Sequence, residues 1–193
     1  MKSEGENIGS VVVRENETPA VVKHSAAAPD TFSWYALYTR PRAEKLVFSR
    51  LEEQEIESFL PLYKTIRKWS DRKKVIEVPL FSSYIFVKVN RRQSYEALKV
   101  HGAVRYIMFE HKAVPIPEYQ INNIKILVGA DIDFEISSEK LNTGDSVEVI
   151  HGVLAGLRGE LVRIKKKDKV VVRVDRIDQN LIIDIPAAHL KKL

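Results

Sequence analysis

Cysteine is absent from the 193 residues. That removes disulfide frameworks, cysteine-ligated zinc, iron–sulfur clusters and thiol nucleophiles together. No run approaches the ~18 consecutive apolar residues of a membrane helix, so no membrane partner is expected. The opening stretch Met1-Lys2-Ser3-Glu4-Gly5-Glu6 lacks the basic-then-apolar order of a secretory signal, which points to a cytoplasmic protein. His24, His101, His111, His151 and His189 are scattered, and none stands at metal-ligand spacing from another. Ser82-Ser83 lacks the flanking glycines of a nucleophile elbow. The series Gly152, Gly156, Gly159 lacks the Lys-Ser/Thr of a phosphate-binding loop and is followed by a strand pattern, not a helix. Neither a metal nor a cofactor is expected, and no enzyme.

What is present is ordinary for a globular chain: 45% hydrophobic and 30% charged residues, with a net charge of +5. The charge is uneven, at −2 over residues 1–33, +4 over 34–135 and +3 over 136–193. A modest basic excess permits nucleic-acid contact without establishing it. Residues 1–33 are polar apart from Val11-Val12-Val13 and read as a mobile tail, with an extra edge strand as the alternative.

Order is expected from Trp34. Trp34 to Arg40 suits a strand, and Pro41 opens a helix whose apolar positions Ala43, Leu46, Val47 and Leu51 recur at helical spacing. Glu57 to Leu60 is extended. Thr65–Trp69 and Lys74–Val78 then form a hairpin joined by Ser70-Asp71-Arg72-Lys73. Ser82 to Val89 is a strand with Ser83, Ile85, Val87 and Val89 toward the core and Tyr84, Phe86 and Lys88 on the other face. A helix over Gln93–Val100, strands over Val104–Phe109 and Val114–Ile116, and a helix from Pro117 to about Val128 complete this unit. The pattern predicts an α+β fold, an antiparallel sheet flanked by helices over residues 34–130, then a linker over 131–142. Residues 143–193 turn all-β, with strands Ser146–Ile150, Glu160–Ile164, Val170–Val174 and Leu181–Ile185 closing into a small barrel. Its valines favour strand, and Gly156 and Gly159 each disfavour helix by ~1 kcal/mol, so the barrel is expected to be permanent.

Gly144-Asp145-Ser146-Val147-Glu148-Val149, followed by Gly152 through Val162, closely resembles the KOW motif, carried by Val147, Val149, Gly152, Gly156, Gly159 and Val162. KOW modules occur in transcription elongation factors and in ribosomal proteins. Trp34-Tyr35-Ala36-Leu37-Tyr38 and Val78-Pro79-Leu80-Phe81-Ser82-Ser83-Tyr84-Ile85-Phe86-Val87 resemble the N-terminal (NGN) domain of the NusG family. Glu57 through Leu62 and Arg67 through Lys74 are most similar to its specialised RfaH- and UpxY-like members, the latter regulators of capsular polysaccharide. The chain departs from the family at Ser82-Ser83, where relatives commonly carry Pro-Gly or Pro-Asn.

The resemblance implies a non-enzymatic elongation factor or antiterminator that bridges the cleft of bacterial RNA polymerase and suppresses pausing or termination. It implies a monomer. It places an aromatic patch, Tyr38, Phe81, Tyr84 and Phe86, on the polymerase clamp helices, and Arg91 and Arg92 at the gate loop across the cleft. The alternative from residue chemistry is that helices cover that sheet face and bury the rings. Arg40 and Arg42 match positions that contact non-template DNA. Lys64, Arg67, Lys68, Arg72, Lys73 and Lys74 could follow upstream DNA phosphates, or form a solvated hairpin tip. A small-subunit ribosomal protein or Rho is the implied partner of the barrel. The competing reading is an RNA- or ribosome-binding KOW protein without polymerase contact.

Overall fold

The computed structural model describes residues 31–68, 73–130, 132–164 and 167–193. Residues 1–30 of the expected tail, the hairpin joint with Arg72, Asp131 of the expected linker and Lys165-Lys166 lie outside the described residues.

The first sheet has the order β2-β5-β1-β6, built from β1 (Ser33–Thr39), β2 (Ser58–Phe59), β5 (Tyr84–Val89) and β6 (Ala103–Tyr106). Every pair in it is antiparallel. One face packs on α1 (Glu44–Glu53) and α2 (Arg91–Lys99). Leu37, Ile85, Val87 and Val89 meet Val47, Leu51 and Ala97 in that layer, with Tyr106 beside them. The strand alternation read from β5 holds here: Ser83, Ile85, Val87 and Val89 are all buried. Asn90 caps α2 by accepting the Gln93 N–H at 2.9 Å, which satisfies one of the helix's orphan donors.

The other face is covered by α3 (Glu118–Gly129). Gln120, Ile121, Asn123, Ile124 and Leu127 are all buried, so α3 is enclosed on more than one side. Beyond it lies the second unit, a six-stranded antiparallel sheet of order β14-β10-β11-β12-β13-β9. Its strands are β9 (Glu135–Ser137), β10 (Asp145–Val149), β11 (Arg158–Ile164), β12 (Lys167–Val174), β13 (Gln179–Ile183) and β14 (Leu190–Lys192). Three consecutive buried valines, Val170, Val171 and Val172, require cover on both faces of β12. One face joins Val162, Ile182, Leu141 and Ile164. The other joins the cluster that runs through α3 to Trp34, Phe81 and Phe86 of the first unit. The fold is thus α+β followed by an all-β unit, with α3 as a layer between the two sheets.

Several elements differ from expectation. The run Val104–Phe109 breaks at Ile107, whose N–H bonds Ala36 O at 3.0 Å. After the break, β7 (Met108–Phe109) and β8 (Lys112–Ala113) form a short hairpin. In place of a strand over Val114–Ile116, Ile116 makes an isolated bridge to Trp34. Within the segment read as linker, Glu135–Ser137 supplies β9 at the edge of the second sheet. Strand β14 carries no apolar alternation and was not expected; it pairs with β10 at the opposite edge. Among the described residues no helix is long and apolar enough to cross a membrane.

Candidate functional site

Tyr38 and Tyr84 face each other across the β1–β5 register, with ring centroids 5.4 Å apart and planes at 68°. Both are partly exposed. Phe81 and Phe86 are not: they are 3% and 0% accessible. They stack against each other edge-on at 5.9 Å, and Phe59 packs on Phe86 at 6.3 Å. Of the expected patch, Tyr38 and Tyr84 stay partly exposed, while Phe81 and Phe86 are covered as the alternative reading has it. Parity does turn Tyr84 and Phe86 away from the α1/α2 face, but α3 and the second unit cover the face they turn toward. The open surface there reduces to the two tyrosines at the strand end, with the phenylalanines beneath. Burial raises the Tyr84 phenol above its usual value, Tyr38 and Asp178 add to the rise, and Arg105 opposes it.

The turn leading into β5 is set by one carboxylate. Ser83 has φ +65°, the left-handed region in which glycine is the least strained residue. Its N–H donates to Glu44 Oε1 at 2.6 Å, and its carbonyl accepts the Thr39 N–H at 2.8 Å. Glu44 is only 6% accessible and sits in the first turn of α1, where negative charge also complements the helix dipole. Strand end, turn and helix start are thereby tied together. The left-handed turn is thus carried by a serine held by a buried acid.

Arg40 and Arg42 lie exposed in the turn after β1, beside Tyr38. Arg42 also has a left-handed backbone, φ +65°, and the Arg40 N–H bonds Gly102 O at 2.8 Å. Gly102 cannot be replaced freely: a Cβ there would meet Val47 Cγ2 at 2.9 Å, and its φ is +103°. Arg91 and Arg92 are exposed at the start of α2, the opposite end of β5 from Tyr84. At a rise of ~3.3 Å per residue they stand roughly 20 Å from the tyrosines. Two cations in a first turn without an acidic residue oppose the helix dipole, so they do not serve helix stability.

The hairpin of β3 (Leu62–Lys68) and β4 (Lys73–Pro79) is a two-stranded sheet of its own. Its register sets Arg67 opposite Lys74 and Lys68 opposite Lys73. Lys64, Lys73 and Lys74 are exposed. At the hairpin base the Tyr63 ring lies 6.5 Å from Phe134, and Lys45 Nζ donates to Glu77 O at 2.9 Å.

In the second unit, Gly152 and Gly156 have φ of +81° and +88°. Gly159 has a different role: a Cβ there would lie 2.8 Å from Val171 O. Val147, Val149 and Val162 are buried in the sheet. Gly144 was read only as part of the motif run, yet it is the tightest position of all, with a Cβ falling 2.1 Å from Leu161 O. Glu160 accepts from Arg173 Nε at 2.9 Å and from the Gly144 N–H at 3.1 Å. Burial pushes the Glu160 carboxyl up, but these hydrogen bonds and the Arg173 charge outweigh it and hold the group below its usual value.

Among the described residues no group of three or more His, Asp or Glu could hold a metal ion. His151 and His189, distant in sequence, do meet with ring centroids 6.0 Å apart. Three side chains escaped sequence reasoning. Glu44 lay inside a helix pattern as one acid among several, Arg105 inside a strand, and Asn123 inside a helix. Asn123 donates to Arg158 O at 2.7 Å and accepts the Arg158 N–H at 3.0 Å, joining α3 to β11.

Residues 32–125 match the model of the NusG family, described as transcription termination factor nusG. No curated protein matches the chain. Among solved structures, one of Thermotoga maritima NusG, which concerns domain interaction, is 19% identical. It covers 86% of this chain and 99% of its own, with a TM-score of 0.45. The MjSpt4:Spt5 complex, in conformation B, is 20% identical over 83% of this chain and 96% of that one, with a TM-score of 0.29. The unit that carries the tyrosine pair, the arginine turn and the basic hairpin is the part of the chain that the NusG family model matches.

Proposed function

We propose that this protein is a transcription elongation factor or antiterminator that binds bacterial RNA polymerase across its cleft and suppresses pausing or termination. The family match over residues 32–125 carries this reading. Tyr38 and Tyr84 form the contact for the polymerase clamp helices, with Phe81 and Phe86 as its floor. Aromatic side chains half-exposed at a strand end, over a rigid buried base, suit an interface anchor. Arg91 and Arg92 contact the far side of the cleft. Their separation from the tyrosines suits a protein that spans two polymerase elements. Binding of this kind favours the elongating conformation because affinity differs between polymerase states.

Arg40, Arg42 and the hairpin residues Arg67, Lys68, Arg72, Lys73 and Lys74 contact non-template or upstream DNA through phosphates. Residues 143–193 act as a KOW module that recruits a small-subunit ribosomal protein or Rho. The stretches Glu57 through Leu62 and Arg67 through Lys74 fit a specialised RfaH- or UpxY-like factor for an operon such as one for polysaccharide synthesis.

The test is binding of the purified chain to a reconstituted bacterial elongation complex, with free RNA and free DNA as controls. Affinity for the complex above that for either nucleic acid supports the reading, and so does its loss in Tyr38→Ala and Tyr84→Ala. Retention on RNA alone would replace it with a ribosomal or RNA-binding role.

A further inference from the structure

The row of Tyr38 and Tyr84 has a third member. Arg105 stands on β6 directly opposite Tyr38, and its guanidinium carbon lies 5.7 Å from the Tyr38 ring centroid. Tyr38 in turn meets Tyr84 edge-on at 5.4 Å. Arg105, Tyr38 and Tyr84 therefore form a continuous row across three neighbouring strands, and all three are at least partly exposed.

A guanidinium laid against a ring is partly fixed by cation–π attraction. Its planar set of donors is then offered with less entropy left to lose on binding. The charge has no internal counterpart. Among the described residues no carboxylate lies within ion-pair distance of Arg105, Arg40 or Arg42. Asp178 acts on Tyr84, adding to the rise of its phenol. Asp178 belongs to the second unit and sits in the turn before β13 with φ +50°.

We propose that Arg105 is a specificity residue of this surface, selecting a polymerase segment that places a carboxylate beside the apolar side chains seated on Tyr38 and Tyr84. The inference rests on the polymerase reading above and adds the chemistry of the bound segment. An arginine and a carboxylate pair in a bidentate, charge-assisted geometry, whereas lysine offers only a point charge. The contact therefore discriminates between segments of equal apolarity.

The experiment measures affinity of the full chain for RNA polymerase over a series of salt concentrations, for wild type and for Arg105→Ala, Arg105→Lys, Arg105→Glu, Tyr38→Ala and Tyr84→Ala. Arg105→Ala is expected to weaken binding about tenfold, equivalent to ~1.4 kcal/mol. Arg105→Lys should recover only part of that, and Arg105→Glu should bind more weakly than Arg105→Ala. The salt dependence should flatten in Arg105→Ala, which loss of packing alone would not produce. Wild-type affinity in Arg105→Ala and Arg105→Glu, with loss in the tyrosine variants, would overturn the role of Arg105 and leave the polymerase reading standing. If the tyrosine variants also bind normally, or wild type does not bind polymerase, both readings fall. Loss of free-DNA binding in Arg105→Glu with polymerase affinity intact would assign the guanidinium to a phosphate and reject the carboxylate.

Discussion

A left-handed backbone costs a non-glycine residue about 1–2 kcal/mol, and Ser83 bears that cost at φ +65° directly before the strand of Tyr84. Glu44 is what holds it there, since its carboxylate accepts the Ser83 N–H at 2.6 Å in a buried setting. Truncation would leave that N–H without its partner. Glu44→Ala should therefore destabilise the protein by about 2 kcal/mol, read as a lower urea midpoint. Ser83→Gly should leave stability unchanged or raise it slightly, because relief of strain offsets the added freedom of glycine in the unfolded chain. A Glu44→Ala midpoint equal to wild type would remove the acid from its role. Glu160 gives a pH dependence. Its carboxyl is held below the usual value in the folded state, so its contribution is fully present above the unfolded carboxylate pKa and disappears as pH falls through the lower folded one. The stability gap between wild type and Glu160→Gln should be open at neutral pH and close in acid. A gap independent of pH would show that Arg173 does not pair with the charged form.

At the scale of elements, the hairpin of β3 and β4 combines like charges across its register with exposed Lys73 and Lys74. If it lies along nucleic-acid phosphates, each lost contact should lower the slope of log affinity against log salt by about 0.9 for duplex DNA. Lys73→Ala with Lys74→Ala is expected to weaken DNA binding uniformly across sequences and flatten that slope. Unchanged affinity and slope would return these lysines to a solvated tip. The hairpin was legible in sequence because two β-like runs flank polar turn residues. So was the core face of β5, where period-two alternation puts Ile85, Val87 and Val89 against α1 and α2. Its other face was not legible. Alternation states which residues share a face, not what covers it, and Phe86 is enclosed by a helix that begins about 30 residues later in the chain. Strands β9 and β14 were missed for a related reason. They are three residues each, and they exist through pairing with β13 and β10, not through a pattern of their own.

Across the whole molecule, the two units share one apolar cluster. It runs from Trp34, Phe81 and Phe86 through Ile121, Ile124 and Leu127 of α3 to Val149, Leu157 and Val172. Asn123 adds direction to that contact. Its side-chain amide donates to and accepts from the main chain of Arg158, as a neighbouring strand's peptide group would. Apolar burial alone would let α3 slide along the sheet, whereas two hydrogen bonds to one residue fix its place. A helical asparagine gives no sign of this in the sequence, because its partner is a backbone group 35 residues away. With a shared core, heat should unfold wild type in one cooperative transition with equal calorimetric and van't Hoff enthalpies. Asn123→Ala removes both hydrogen bonds to the part-buried main chain of Arg158, a loss of about 0.5–1.5 kcal/mol for each bond that water does not replace. That cost falls on the junction, not on either core. The transition should therefore broaden or split, with amide protection lost first at α3 and at the start of β11. Wild type that already unfolds in two steps, with Asn123→Ala unchanged, would mean that the two units merely touch. A single transition shifted as a whole would place the role of Asn123 within the first unit's own stability.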